Sequence, residues 1–232
     1  MKNRRKTASP WTAAMAALVS CLAIPAVDVL AAPETERRWA RKVAEREWRP
    51  MSQVPSPSET TANRMVIREV TGFPPDSKTT PDQERAGRDL VERCYEAARK
   101  HGWYDIEKGL ADGFTNLIDE RHYGNDEFTS DDRILDPDRP EFLMYYDTPG
   151  GKRLAGFMFR ARSLEENGPQ PAGPEMVWHY HVWQRGRCLA ENLIPMNHHR
   201  PPKDCPPDTT LAHRSAEMVH VWLLDHPKGP FA

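Results

Sequence analysis

His179 and His181 stand two residues apart in the string Trp178-His179-Tyr180-His181-Val182-Trp183. Side chains alternate between the two faces of a β-strand, so both imidazoles share one face, about 6–7 Å apart at the backbone. Two neutral rings in that arrangement can clasp one transition-metal ion, each offering a nitrogen at about 2.0–2.1 Å. His220 lies in a second apolar run, Met218-Val219-His220-Val221-Trp222, and supplies a third ligand if the two strands are neighbours. His122, beside Tyr123 ahead of the strand-rich half, is a fourth candidate, and Asp126 or Glu127 could add an oxygen. Imidazole ligands suit zinc, copper or iron, and a coordination position left open would allow chemistry at the ion.

The competing reading makes the same histidines structural, in a non-catalytic binding or interaction module of the cell envelope. Convergence of the imidazoles favours the metal; a hydrogen bond from each ring to a backbone carbonyl favours the module. The other histidines carry less. His198-His199 sits among prolines and reads as solvated loop, His226 ends a strand, and His101 and His213 bring no signal.

Other chemistries are largely excluded. The chain has no G-x-S-x-G elbow, so Ser215 near His213 is chance proximity, and it has no phosphate-binding or dinucleotide fingerprint. Asp131, Asp132, Asp136 and Asp138 form an acidic stretch without EF-hand spacing, which reads as solvated loop rather than a calcium site.

The elements that must carry the histidines can be read from patterning. Thr80-Pro81-Asp82-Gln83 is a capping box with proline at the first helical position, and Ala86, Leu90, Cys94, Ala97 and Ala98 recur at helical spacing before Gly102. A second helix is expected from about Asp105 to Leu117, weakened by Gly109 and Gly113. Strands are expected at 141–147 and 153–162 around the turn Thr148-Pro149-Gly150-Gly151, then at 175–183, 187–193 and 217–225. An isolated strand is expected at 64–71. Met176, Trp178, Tyr180 and Val182 should fill a core behind the histidines. The expected fold is therefore α+β: two N-terminal helices followed by a mostly antiparallel sheet of about five strands.

The N-terminus reads as an export signal over residues 1–31. Lys2, Arg4, Arg5 and Lys6 precede an apolar run from Trp11 to Val27, and small residues follow at Ala31 and Ala32. An alternative within the same stretch is a lipobox, Leu18-Val19-Ser20-Cys21, which would place a lipid anchor on Cys21. The expected location is secreted or periplasmic, or on the envelope as a lipoprotein, with no transmembrane helix in the mature chain. Residues 32–80 read as a short helix at 33–48 and a Pro/Ser/Thr-rich linker, and 81–232 as the domain bearing the histidines.

Charge and cysteines agree with export. The chain has 32 basic and 34 acidic residues; without residues 1–31 these become 28 and 33, a net charge of −5. No concentrated basic surface suggests a nucleic-acid partner. A Cys188–Cys205 bridge is expected in an oxidising compartment, leaving Cys94 as a buried, inert thiol.

The H-x-H strand resembles the opening of a cupin motif, but Arg185 and Gly186 occupy the positions where cupins place a glutamate, and the match ends there. More loosely, the strings Ala111-Asp112-Gly113-Phe114, His122-Tyr123, Pro140-Glu141-Phe142-Leu143, Leu154-Ala155-Gly156 and Trp178-His179-Tyr180-His181 resemble short exported bacterial proteins of unassigned function. That resemblance implies one structural unit and no activity.

Overall fold

A computed structural model describes residues 65–70, 72–74, 76–196 and 205–231. The export signal with Cys21, the helix expected at 33–48, the linker and His198-His199 lie outside the described residues.

Strand β1 (Met65–Val70) comes first, ahead of the long helix α1 (Pro81–His101). The capping box forms as the sequence implies: the Thr80 hydroxyl accepts from the Gln83 backbone N–H, and Gln83 Oε1 accepts from the Thr80 N–H at 2.9 Å. Gly102 ends the helix at φ 73°, a left-handed geometry that costs glycine little. Leu90, Cys94, Ala97 and Ala98 form the buried stripe, and burial pushes the Cys94 thiol pKa up, which keeps it protonated and unreactive.

The expectation of two helices and about five strands is overturned. The described residues form a nine-stranded antiparallel sheet, and α1 is the one long helix beside it. The second helix, α2, stops after six residues (Ile106–Ala111). Gly113 then turns the chain at φ 94°, and Phe114 enters a strand with its ring fully buried. Helical spacing of Ile106, Leu110 and Phe114 thus gave way to a glycine turn and to the burial available on the sheet.

The remaining strands are β2 (Phe114–Leu117), β3 (His122–Asn125), β4 (Phe142–Thr148), β5 (Gly151–Arg160), β6 (Trp178–Leu189), β7 (Pro195–Met196), β8 (Thr210–Arg214) and β9 (Met218–Trp222). Their order is β1-β6-β9-β5-β4-β3-β2, with β7 and β8 pairing the distal half of β6. The two strands expected at 175–183 and 187–193 are one: β6 runs through both, with Gly186 at φ 72° where its pairing to β8 shifts register.

The sheet sorts its residues by parity. Leu143, Tyr145, Phe157, Phe159, Val219 and Val221 join the α1 stripe in the larger core. Their alternates Phe142, Met144, Met158, Met218 and Trp222 form a second cluster on the opposite face. Trp178 and Met176 are buried in the helix-side core as expected, but Tyr180 and Val182 are only half-buried. Tyr180 instead lies under the Arg214 guanidinium, 4.0 Å from the ring centroid.

Cys188 and Cys205 are bonded, with Cα atoms 5.5 Å apart, tying the distal end of β6 to the segment that leads into β8. Replacing both by serine is expected to lower unfolding free energy by about 3 kcal/mol, through the restored freedom of the unfolded loop. Urea denaturation of the oxidised parent beside the double variant measures this, and equal midpoints would refute it.

Candidate functional site

The face opposite α1 carries the chemistry. Every second residue of β6 from His179 (His179, His181, Trp183) and of β9 from Met218 (Met218, His220, Trp222) lines one cavity of about 270 Å³. His122 reaches it from β3, Met158 and Arg160 from β5, and Met65, Ile67 and Glu69 from β1 at the sheet edge. Register places the rows: Ile67 pairs with His181, Glu69 with His179, His179 with Met218, and His220 with Met158.

The structure therefore brings together all four histidines singled out in the sequence. His122 Nε2 and His220 Nε2 are 3.4 Å apart. Ring centroids are separated by 5.4 Å for His122–His220, 5.0 Å for His179–His220 and 5.9 Å for His179–His181. Among the described residues, no three His, Cys, Asp or Glu side chains already form a ready ligand group for a metal ion. The close nitrogen pair is His122–His220; the His179 ring lies beside His220, and His181 lies beside His179.

Asp126 and Glu127 do not join. Asp126 Oδ1 accepts from Asn116 at 2.9 Å, and Glu127 pairs with Arg139 at 2.8 Å. In the acidic stretch, Asp131 pairs with Arg139, Asp136 with Arg133 and Asp138 with Lys100, so these three carboxylates have cationic partners. Ser215 is no nucleophile beside His213: its Oγ accepts from the His181 backbone N–H at 2.9 Å and donates to the Ala216 carbonyl, holding the histidine strand.

Two residues of the site escaped sequence reasoning. Asp119 is the first. It receives the Arg121 and His122 backbone N–H groups at 2.8 and 2.9 Å, and its carboxylate lies 2.9 Å from His122 Nδ1. A carboxylate only accepts, so Nδ1 carries a proton and Nε2 is the nitrogen turned toward His220 and the cavity. Burial acts to raise the Asp119 pKa, but the hydrogen bonds from the ring and the two backbone groups hold it well below the usual carboxylate range. The Asp-x-x-His spacing was the available signal. The second is Arg160, which alternation on β5 puts on the histidine face.

Burial keeps the imidazoles of His179, His181 and His220 neutral. It drives the His179 pKa down to about 3, helped by His181 and His122 and opposed by a hydrogen bond to the Val177 backbone. His181 falls to about 4 by burial and the His122 charge, and His220 lies well below its ordinary value for the same reason, with His179 adding to it. The Val177 contact is the kind of backbone bond a structural role predicts, and it leaves the other His179 nitrogen available. His226, beyond β9, stacks on Trp222 at 4.9 Å and flanks the cluster.

The chain matches no protein-family model, no curated protein and no solved structure. What it does must be read from this geometry. No helix among the described residues is long and apolar enough to cross a membrane.

The depressed histidine pKa values fix a pH dependence. Unfolded histidines take protons near pH 6.5, whereas the folded rings refuse them until about pH 3–4. Stability is therefore full above pH 6.5 and falls as pH drops through that window. At pH 5 the loss is about 2 kcal/mol for each ring that stays neutral. Chelator-treated protein should show a lower urea midpoint at pH 5 than at pH 7.5, and His220→Gln should flatten that difference. A pH dependence left unchanged by His220→Gln would contradict the buried-neutral assignment.

Proposed function

We propose that the protein is an exported transition-metal-binding protein whose ligands are His122, His220 and His179, with His181 as the alternate to His179. The observation that carries this is the pairing of His122 Nε2 with His220 Nε2 at 3.4 Å inside an apolar cavity. Two nitrogens bound to one tetrahedral ion at 2.0–2.1 Å are separated by about 3.3 Å. An N–H···N hydrogen bond of 3.4 Å would be long by comparison. Asp119 supports the reading, because a carboxylate on the distal nitrogen orients a ligating histidine and raises its basicity. A third ligand requires His179 or His181 to turn its ring toward the pair, and the short His179–His220 centroid distance makes His179 the nearer.

Zinc, copper and iron all accept imidazole, and the donor set does not distinguish them. Two to three neutral nitrogens leave the ion's charge uncompensated and a coordination position open to water or a substrate oxygen. The Cys188–Cys205 bridge supports export to an oxidising compartment.

Elemental mass spectrometry on protein incubated with zinc, copper and iron(II) in turn tests the reading. The parent is expected to retain about one ion per chain with one of the three. The His179→Ala/His181→Ala variant, shown folded by near-ultraviolet circular dichroism, should lose it. Asp119→Asn should weaken binding by about 10–100-fold, since it replaces the carboxylate on His122 Nδ1 by a neutral, weaker acceptor. No metal in the parent, or equal metal in the double variant, would end the metal reading.

A further inference from the structure

Arg160 is a buried charged residue of the cavity that the histidine chemistry does not explain. It is 5% exposed, and its Nη2 donates to the Thr129 carbonyl at 2.8 Å. Its Nε has no hydrogen-bond partner. A buried guanidinium is ordinarily matched by a carboxylate, because an isolated charge is costly to remove from water. The nearest candidate is Glu141, which is 4% exposed, but it makes no ion pair with Arg160 and its Oε2 also lacks a partner. Burial raises the Glu141 pKa, against the pull of Arg160. Burial lowers the Arg160 pKa only to about 10, so the guanidinium stays charged.

Arg160 lines a chamber whose other charged side chains are Glu69, exposed at the sheet edge, and Asp119, which is bonded to His122. Phe142, Met158, Ile194, Met218 and Trp222 line it. Arg160 pairs with Met218, and Met218 with His179, so one row of the sheet runs from the guanidinium to the histidines. Two strand spacings separate Arg160 from His179 at the backbone, about 10 Å. At about 30 Å³ for each water-sized unit, the cavity holds roughly ten non-hydrogen atoms.

We propose that this cavity binds a small apolar carboxylic acid, its carboxylate on Arg160 and its hydrocarbon body along the Met158–Met218 wall toward the histidines. A planar guanidinium suits a carboxylate, and the acid would supply the ion-pair partner that Arg160 does not find in the protein. The inference goes beyond the metal reading: it rests on Arg160 and the apolar walls and requires no ion. With a metal present, the same pose would carry the far end of the acid to the open coordination position.

Octanoate, with ten non-hydrogen atoms, is the probe, and 1-octanol is its neutral counterpart. Isothermal titration calorimetry on metal-free and metal-incubated full-length protein reads the affinity. Octanoate is expected to bind both forms, at least tenfold more tightly than 1-octanol. Arg160→Met should remove that preference while leaving 1-octanol affinity and metal content unchanged. Arg160→Lys, which keeps the charge without the fork, should retain part of it. Glu141→Gln should bind octanoate as the parent does, so a fold defect around the pair is told apart from loss of the anchor. Equal affinity for the acid and the alcohol would overturn the proposal, as would octanoate binding unchanged in Arg160→Met. Octanoate that binds only the metal-loaded protein, and is lost in His179→Ala/His181→Ala but kept in Arg160→Met, would put the carboxylate on the ion. That outcome overturns the Arg160 assignment and leaves the metal reading standing. Conversely, Arg160-dependent binding to a protein that takes up no metal would sustain this proposal alone.

Discussion

Strand alternation on β6, β9 and β5 is the constraint from which the site follows. Each strand presents successive side chains to opposite faces, and antiparallel register locks the parities of neighbours together. With Val219 and Val221 committed to the helix-side core, Met218, His220 and Trp222 must face the other way. The same holds for Phe157 and Phe159 against Met158 and Arg160 on β5. A one-residue slip in β6 or β9 would send a histidine into the α1 core and an apolar residue into the cavity, and a slip in β5 would send Arg160 into that core. The aromatic and branched residues packed on α1 therefore fix the chemistry on the face they do not touch.

The cavity face pays a conformational and solvation cost that apolar residues would avoid. Three imidazoles are held neutral there by burial, and Arg160 is charged without an ion-pair partner. Met or Leu at these positions would pack the same sheet without such penalties. Polar groups that burial strains in this way, gathered in one concave place, mark a site where a ligand completes the interactions. Asp119 sharpens this, since its backbone hydrogen bonds fix a carboxylate whose remaining contact sets the His122 tautomer.

Much of the histidine site was legible because alternation is local. His179 and His181 share a face for any strand spanning both, and an apolar run around His220 already implied a buried strand. What the sequence could not show was strand order: that β9 lies between β6 and β5, and that β3 brings His122 back across the sheet, are consequences of long-range pairing. The fold class went wrong for related reasons. Helical spacing through Phe114 was a true local pattern, but Gly113 opened the turn and a buried place on the sheet took the ring. Short strands such as β2, β3 and β8 carry four or five residues each, too few to show alternation without their partners. Arg160 was invisible as a site residue because an arginine near a strand end ordinarily reads as solvated.

The position of Arg160 bears on how the two polar features relate. If the histidines served only to knit the sheet, nothing would require a charged group two strands away on the same row, in a chamber lined by methionines and aromatic rings. If Arg160 served only to hold the Thr129 turn, a single hydrogen bond to one carbonyl would be a poor return for burying a guanidinium. Each feature alone is an expensive way to stabilise a sheet. Together they define a chamber with a fixed charge at one end, neutral nitrogen donors at the other and apolar walls between, which is the layout of a site that orients a small amphiphile end to end.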